Sequence, residues 1–183
     1  MGTLTAHPTA AASNNAVGNV AWSNPLNVVL PDDSKATCIL LLGQQSEYLK
    51  SRGYQFGCPL DSQVVGIQFS PERSATLTSG VEDTQVRLLK ADTPTGDNKA
   101  AAGQWPTSDT TQNYGGAADL WGTTWTPQEV NDPLFGAALS ASALVGVTSA
   151  VDACPMTVTY LGSNRPALLK PRFKVGDGMG CSN

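Results

Sequence analysis

Charge is scarce in this chain: Asp, Glu, Lys and Arg together make up 14% of 183 residues, against roughly 25% in ordinary soluble domains. The polar surface must therefore be built mainly from Thr, Ser, Asn and Gln. Such a composition suits a protein whose faces end against neighbours better than a freely diffusing enzyme. Histidine is scarcer still. The one imidazole, His7, stands in an Ala/Thr/Ser/Asn-rich segment, so Ser-His-Asp and Cys-His nucleophile systems have no central base and are excluded. Cys38, Cys58, Cys154 and Cys181 form no C-x-x-C pair, which argues against a zinc site and favours small buried hydrophobes over disulfides. Long apolar runs are missing as well. Phe135 to Val147 is short and broken by Ser140, Ser142 and Gly146, which excludes a helical membrane span. The first residues, M-G-T-L-T-A-H-P-T-A, carry neither a basic region nor an apolar stretch, and Ala6 stands where N-myristoylation wants Ser or Thr. A soluble product made in the cytoplasm is expected, with no cofactor.

No helical period of useful length is present either. Gly 18 and Pro 12 punctuate the chain into short segments, and several of these alternate. Val65, Ile67 and Phe69 alternate with Gly66, Gln68 and Ser70; Val86 and Leu88 with Gln85 and Arg87; Phe135, Ala137 and Leu139 with smaller residues; Met156, Val158 and Tyr160 with Thr157 and Thr159. Alternation of this kind predicts half-buried strands. Thr37 to Leu42 is continuously apolar and suits a fully buried strand, and Gly66 marks a bulge or a close backbone approach. One short helix is expected at Thr126-Pro127-Gln128-Glu129, where Thr caps, Pro takes the first turn and Glu completes a capping box. The fold class is all-β, a β-sandwich of jelly-roll type over residues 21–160, with an N-terminal arm at 1–20 and a C-terminal basic arm at 161–183.

The arms carry the charge asymmetry. From Leu161 to Asn183, Arg165, Lys170, Arg172 and Lys174 face the single acid Asp177, a balance of +3 within a total of -4, so the first 160 residues hold -7. A positive end on a negative body is a docking device for an acidic surface, with Leu168, Leu169 and Phe173 as apolar anchors. Four spread charges are too few for a phosphate-tracking face, so nucleic acid is not an expected partner.

What is concentrated is aromatic. Gln104 to Thr126 holds Trp105, Trp121 and Trp125 together with Tyr114 among Gly, Pro, Thr and Asp. Two uses are open to such rings: a plug for the sandwich, since burying one Trp is worth about 4 to 6 kcal/mol, or a platform for sugar faces, with Asp109, Asp119 or Asn98 orienting hydroxyls. Glu72, Glu82, Asp83, Asp109, Asp119 and Asp152 supply carboxylates for glycosidase-type chemistry. Glu72 and Asp83 read as turn or strand-end residues, however, and no enzyme activity is expected. Asp92, Asp97 and Asn98 lack the loop spacing of a calcium cage.

Several blocks occur in a fixed order: A-W-S-N-P from Ala21, L-K-S-R-G-Y-Q-F from Leu49, V-G-I-Q-F-S-P-E-R-S from Val65, V-R-L-L-K from Val86 and G-D-N-K-A from Gly96. They are followed by W-P-T-S-D from Trp105, Y-G-G from Tyr114, D-L-W-G-T-T-W-T-P from Asp119 and T-V-T-Y from Thr157. In this order they resemble a β-sandwich module of tailed-bacteriophage virion structural proteins. The resemblance covers roughly residues 20 to 160 and leaves both ends outside it. It implies a virion component, with a capsid decoration (cement) protein as the first expectation. Its partners would then be the major capsid protein and copies of itself, as a homotrimer on the capsid surface. A tail-associated or head-fibre adhesion module binding host carbohydrate through Trp105, Tyr114, Trp121 and Trp125 is the alternative.

Overall fold

A computed structural model describes residues 1–162, and all but a few short turns of that span are strand or strand-connecting loop. In chain order the strands are β1 (Gly2–Ala6), β2 (Ala10–Asn14), β3 (Ala36–Leu40), β4 (Tyr48–Arg52), β5 (Gln63–Phe69), β6 (Glu72–Ala75), β7 (Val81–Lys90), β8 (Thr93–Thr95), β9 (Thr110–Thr111) and β10 (Tyr114–Gly116). The short helix α1 (Pro127–Val130) precedes β11 (Gly136–Ala143), β12 (Val147–Val151) and β13 (Met156–Leu161). A 3-10 turn at Pro25–Val29 joins β2 to β3.

The strands pair antiparallel in three sheets, ordered β1-β13-β5-β10, β2-β4-β11-β7-β8 and β3-β12-β6-β9. Side chains from all three meet in one core: Ile67, Phe69 and Met156 from the first, Leu49, Val86 and Leu139 from the second, and Leu40, Val147 and Val151 from the third. The result is an all-β sandwich. Apart from β7 with β8, every pair joins strands that are not consecutive in the chain, as in β1 with β13, so most of the core is made by residues distant in sequence.

Residues 1–20, expected as an arm, belong to the sandwich. Strand β1 pairs along its whole length with β13, and β2 pairs with β4 from Ala10↔Arg52 to Asn14↔Tyr48. What holds them is mainly backbone pairing, which Ala, Thr and Ser satisfy as well as larger residues, helped by Leu4, Ala6 and Ala11 against the core. The folded unit therefore starts at residue 2 rather than 21. Residues 163–183 lie outside the described residues, and with them most of the basic arm.

The run Thr37 to Leu42 is not a fully buried strand. Strand β3 ends at Leu40 and lies at the edge of its sheet, with Cys38 and Leu40 buried and Ile39 71% exposed. An edge strand with one wet face keeps the alternation that a continuous apolar run conceals.

Two bulges change which residues face inward. Between Thr159 and Tyr160 the pairing of β13 with β5 jumps from Gly66 to Val64, leaving Val65 unpaired. Val64 consequently joins Ile67 and Phe69 in the core, in the place that simple alternation assigns to Val65. Gly66 fulfils both of its readings: it flanks the bulge, and a Cβ there would run into the backbone of Ala117. On β7, Gln85 faces Ser140 and Asp83 faces Ala141, so Thr84 is the extra residue. The phase reversal brings Val81 and the Asp83 side chain to the same inner face as Val86 and Leu88.

Helix α1 begins as its sequence requires. Thr126 Oγ1 accepts from the Glu129 amide at 3.2 Å, and Glu129 Oε2 accepts from the Thr126 amide at 2.8 Å, with Pro127 in the first turn. Cys38, Cys58 and Cys154 are buried free thiols, as expected of small hydrophobes. Burial and the nearby Glu47 push the Cys38 thiol up to about 12, and burial likewise raises Cys154.

Candidate functional site

The aromatic segment is interior. Trp105, Tyr114, Trp121 and Trp125 are each 5% exposed or less, which removes the platform that the carbohydrate reading needs. The cause is visible in their polar atoms, all of which are consumed by the protein. Trp121 Nε1 donates to the Ile67 carbonyl at 2.9 Å, Trp125 Nε1 to the Leu120 carbonyl at 3.0 Å and Trp105 Nε1 to Asp83 Oδ1 at 2.8 Å. Trp125 also meets Phe135 edge-on, with centroids 5.3 Å apart, and carries Lys90 Nζ over its outer face at 4.8 Å. A ring enclosed by neighbours and saturated at its N–H has neither the face nor the donor to offer a sugar.

Asp83 is the hub of this interior. Its side chain is fully buried and accepts from Trp105, from the Tyr114 hydroxyl at 2.7 Å, from the Ala101 amide at 2.9 Å and from Arg73 Nη1. The Arg73 guanidinium also donates to Gln112 Oε1 at 3.1 Å and sits over the rings of Trp105 and Tyr114, at 5.0 and 5.7 Å from their centroids. Burial, followed by the Asp83 charge, raises the Tyr114 hydroxyl far above the ordinary tyrosine range, so it stays a donor. This arrangement ties the β10 loop, β6 and β7 together. It is a structural lock, because every oxygen of Asp83 faces a protein donor. By sequence Asp83 reads as a strand-end residue; opposite charges at Arg73 and Asp83 within neighbouring strand segments are the signal that could have found the pair.

The remaining acidic candidates separate into two groups. Asp119 receives Lys99 Nζ at 2.9 Å and the Trp121 amide at 2.8 Å. Burial opposes its charge, yet these partners prevail and hold its carboxyl below the ordinary range. Asp92 takes ion pairs from Lys50 at 3.4 Å and Arg52 at 3.1 Å, and Asn98 clasps β7 through the Val86 amide and the Thr84 carbonyl. Asp97 stands beside Lys99 at 3.8 Å, and Glu82 bridges to Gln104 through its backbone. These act in support of the fold.

Glu72, Asp109 and Asp152 instead gather with Asp32 and Asp33 at one end of the β3-β12-β6-β9 sheet. The Asp152 and Glu72 backbones are bonded at 3.0 Å, Ala36 pairs with Val151, and Lys35 reaches Asp109 at 2.6 Å. Burial first, then repulsion from Asp152, Asp109 and Asp33, raises the Glu72 carboxyl; burial also raises Asp152. Asp152 is 4% exposed, and its buried Oδ1 has no hydrogen-bond partner.

The other end of that sheet is apolar. The loops at 41–46, 76–80 and 143–147 are laced by backbone bonds from Gly43 to Ala143 at 2.9 Å, from Ala143 to Gln44 at 3.0 Å and from Leu144 to Gly80 at 2.9 Å. From this joined tip project Leu41, Leu42, Leu77, Leu144 and Val145, with Leu42 74% exposed. The three loops contain no charged residue. Charge depletion around exposed apolar side chains marks a contact surface. Reading the chain as strands and loops misses it, because its residues come from three separate places and only pairing of β3 and β6 with β12 assembles them.

Of the sequence-predicted partner residues, Arg165, Leu168, Leu169, Lys170, Arg172, Phe173 and Lys174 all fall outside the described residues. No helix among the described residues is long and apolar enough to cross a membrane.

No family model matches the sequence, and no curated protein matches it. Among solved structures, the chain is similar to the second N-terminal cellulose-binding domain of Cellulomonas fimi β-1,4-glucanase C, at 14% identity and a TM-score of 0.42, over 84% of this chain and 95% of that one. It is also similar to the N-terminal cellulose-binding domain of the same enzyme, at 10% identity and a TM-score of 0.33, over 88% and 89% of the two chains. Likeness at this level says nothing of function.

Proposed function

We propose that this chain is a virion structural protein of a tailed bacteriophage, a capsid decoration protein that bridges neighbouring capsid subunits and so adds bonds that must break before the shell can open. The observation that carries the reading is the charge-free apolar tip formed by Leu41, Leu42, Leu77, Leu144 and Val145 on three interlocked loops. A rigid tip of this kind seats on another protein with little ordering cost, since its backbone is already fixed. The resemblance over residues 20 to 160 supplies the setting, and the low charge of the whole chain agrees with a protein that spends its working life against neighbours. A homotrimer suits the symmetry points of a shell. The major capsid protein is the partner, and the capsid surface the location.

The test is co-sedimentation with purified shells, followed by imaging of the decorated particles. Wild-type chain is expected to bind. A Leu42→Asp/Leu77→Asp variant is expected to lose binding at least tenfold while its stability shifts by no more than about 1 kcal/mol, because both side chains are exposed. Undiminished binding by that variant would sink the assignment of this surface; failure of the wild-type chain to bind shells would sink the function.

A further inference from the structure

An outer strand of a sheet carries unpaired amides and carbonyls that a further strand can satisfy, and native folds usually blunt such edges. Among the described residues, three sheets end in six outer strands, and five of them are blunted. Strand β8 carries Pro94, β9 has only two residues, and β10 is three residues long with Gly115 in the left-handed region at φ 71°. Strand β2 has the Pro25–Val29 turn packed on it, and its Ser13 hydroxyl is taken by the Trp22 amide at 2.9 Å. The outer side of β3 is bonded in both directions at Thr37 by Ser23, at 2.8 and 3.1 Å, and Leu41 just beyond is closed by Gln44.

Strand β1 is the exception. Gly2–Ala6 has five residues, none charged and none proline, and pairs with β13 without a slip. Among the described residues no other backbone group bonds to it, so alternate residues hold out an amide and a carbonyl on the side away from β13. The core also stops short there, since Leu4 and Ala6 pack against it while only partly buried. The order G-T-L-T-A fits a second copy of itself: antiparallel pairing about Leu4 sets Leu4 against Leu4, Thr3 against Thr5 and Gly2 against Ala6. Thr then meets Thr on the exposed face. This continues the pairs Thr3↔Thr159 and Thr5↔Thr157, the second of which is hydrogen-bonded between hydroxyls at 2.8 Å. On the opposite face two half-covered leucines cover each other, and the small residues at either end leave room for the Tyr160 ring, which lies where a Gly2 Cβ would stand. Charge agrees as well. The first 160 residues carry -7, the total of -4 less the +3 beyond them, and two such bodies meet with least repulsion along an uncharged strand.

We infer that the free edge of β1 is a self-association surface, on which a second copy of this chain adds its own β1 antiparallel about a two-fold axis at Leu4. Two four-stranded sheets of order β1-β13-β5-β10 then become one continuous sheet through both copies. A two-fold contact of this kind builds no trimer by itself; in a larger assembly it joins one oligomer to the next. It uses a surface apart from the apolar tip and does not depend on the decoration reading, so the two fail separately.

Sedimentation equilibrium of the full chain, together with residue-level amide exchange, tests it. A five-residue edge makes a small interface, so dimers are expected at concentrations on the order of 0.1 to 1 mM. Thr3→Lys/Thr5→Lys leaves β1 on β13, because both side chains are exposed, but sets lysine against lysine twice across the axis and is expected to weaken association at least tenfold. Thr3→Glu/Thr5→Glu should do the same. An equimolar mixture of the two variants is expected to recover dimers, since each lysine then meets a glutamate. Leu42→Asp/Leu77→Asp should dimerise as the wild type does, and wild-type amide exchange within residues 2–6 should slow as concentration rises. A wild-type chain still monomeric at about 1 mM, charged variants that associate normally, a mixture that fails to recover, or exchange at residues 2–6 that ignores concentration would each overturn the inference. Dimers lost in the Leu42/Leu77 variant would assign association to the apolar tip and overturn it too. A chain that dimerises through β1 and ignores capsid shells would sink the decoration function and leave this contact standing; a monomer that binds shells would do the reverse.

Discussion

Asp83 shows how one residue can fix the fate of a whole segment. Its carboxylate answers Arg73, Trp105, Tyr114 and a backbone amide at once, in a site where its side chain has no exposure to water. Removing one member of such a group strands the other's charge. Arg73→Met is therefore expected to destabilise the protein by about 3 to 5 kcal/mol in denaturant titration, whereas Arg73→Met/Asp83→Leu should lose less than the two single changes added together. Equal and additive losses would mean that the pair is not coupled. Glu72 presents the opposite electrostatics. Its folded value is raised by burial and by repulsion from Asp152, Asp109 and Asp33, so it binds protons more readily when folded, and above that value its ionisation counts against the fold. Glu72→Gln should accordingly stabilise the protein at pH 7, by no more than about 0.5 kcal/mol because solvent still screens a part-exposed group. The gain should vanish below the unfolded glutamate value near 4.5, where both states are protonated. Melting curves at pH 7 and pH 4 check the sign.

At the scale of elements, the two bulges matter more than any strand length. Without the extra residue Thr84, the alternation of β7 would point Asp83 outward, and the lock around it would not exist. Without the slip opposite Gly66, Val64 would be wet. Gly66→Ala is predicted to destabilise by about 1 to 3 kcal/mol, since the new methyl would have to displace the backbone of Ala117; a neutral outcome in thermal denaturation would show that the 117–119 loop yields freely. These slips also explain what is legible in the sequence. Met156 and Val158, Val86 and Leu88, and the Thr126 capping box are local patterns, and the structure realises them as read. The choice of Val64 over Val65, the edge position of β3 and the inclusion of β1 and β2 are decided by partners far away in the chain, whose pairing leaves no periodic trace in Ala, Thr and Ser. The fate of the tryptophans is open in the sequence for the same reason: composition brings Trp105 to Trp125 together, but only the acceptors on Ile67, Leu120 and Asp83 turn them inward.

For the molecule as a whole, one sheet carries a charge-free tip at one end and crowded carboxylates at the other. Strand β3 spans the distance between them in five residues, about 14 Å from Ala36 to Leu40. A body built this way has two chemically unlike ends on one sheet. The pairing of β1 with β13 adds a constraint of a different kind, since Thr5 hydrogen-bonds to Thr157 across 152 residues. At a synthesis rate of roughly 5 to 20 residues per second, Gly2–Ala6 leaves the ribosome some 8 to 30 s before its partner exists. During that interval Gly2–Ala6 has no β13 to pair with, so of the described strands this one, made before the others, is completed only when β13 arrives.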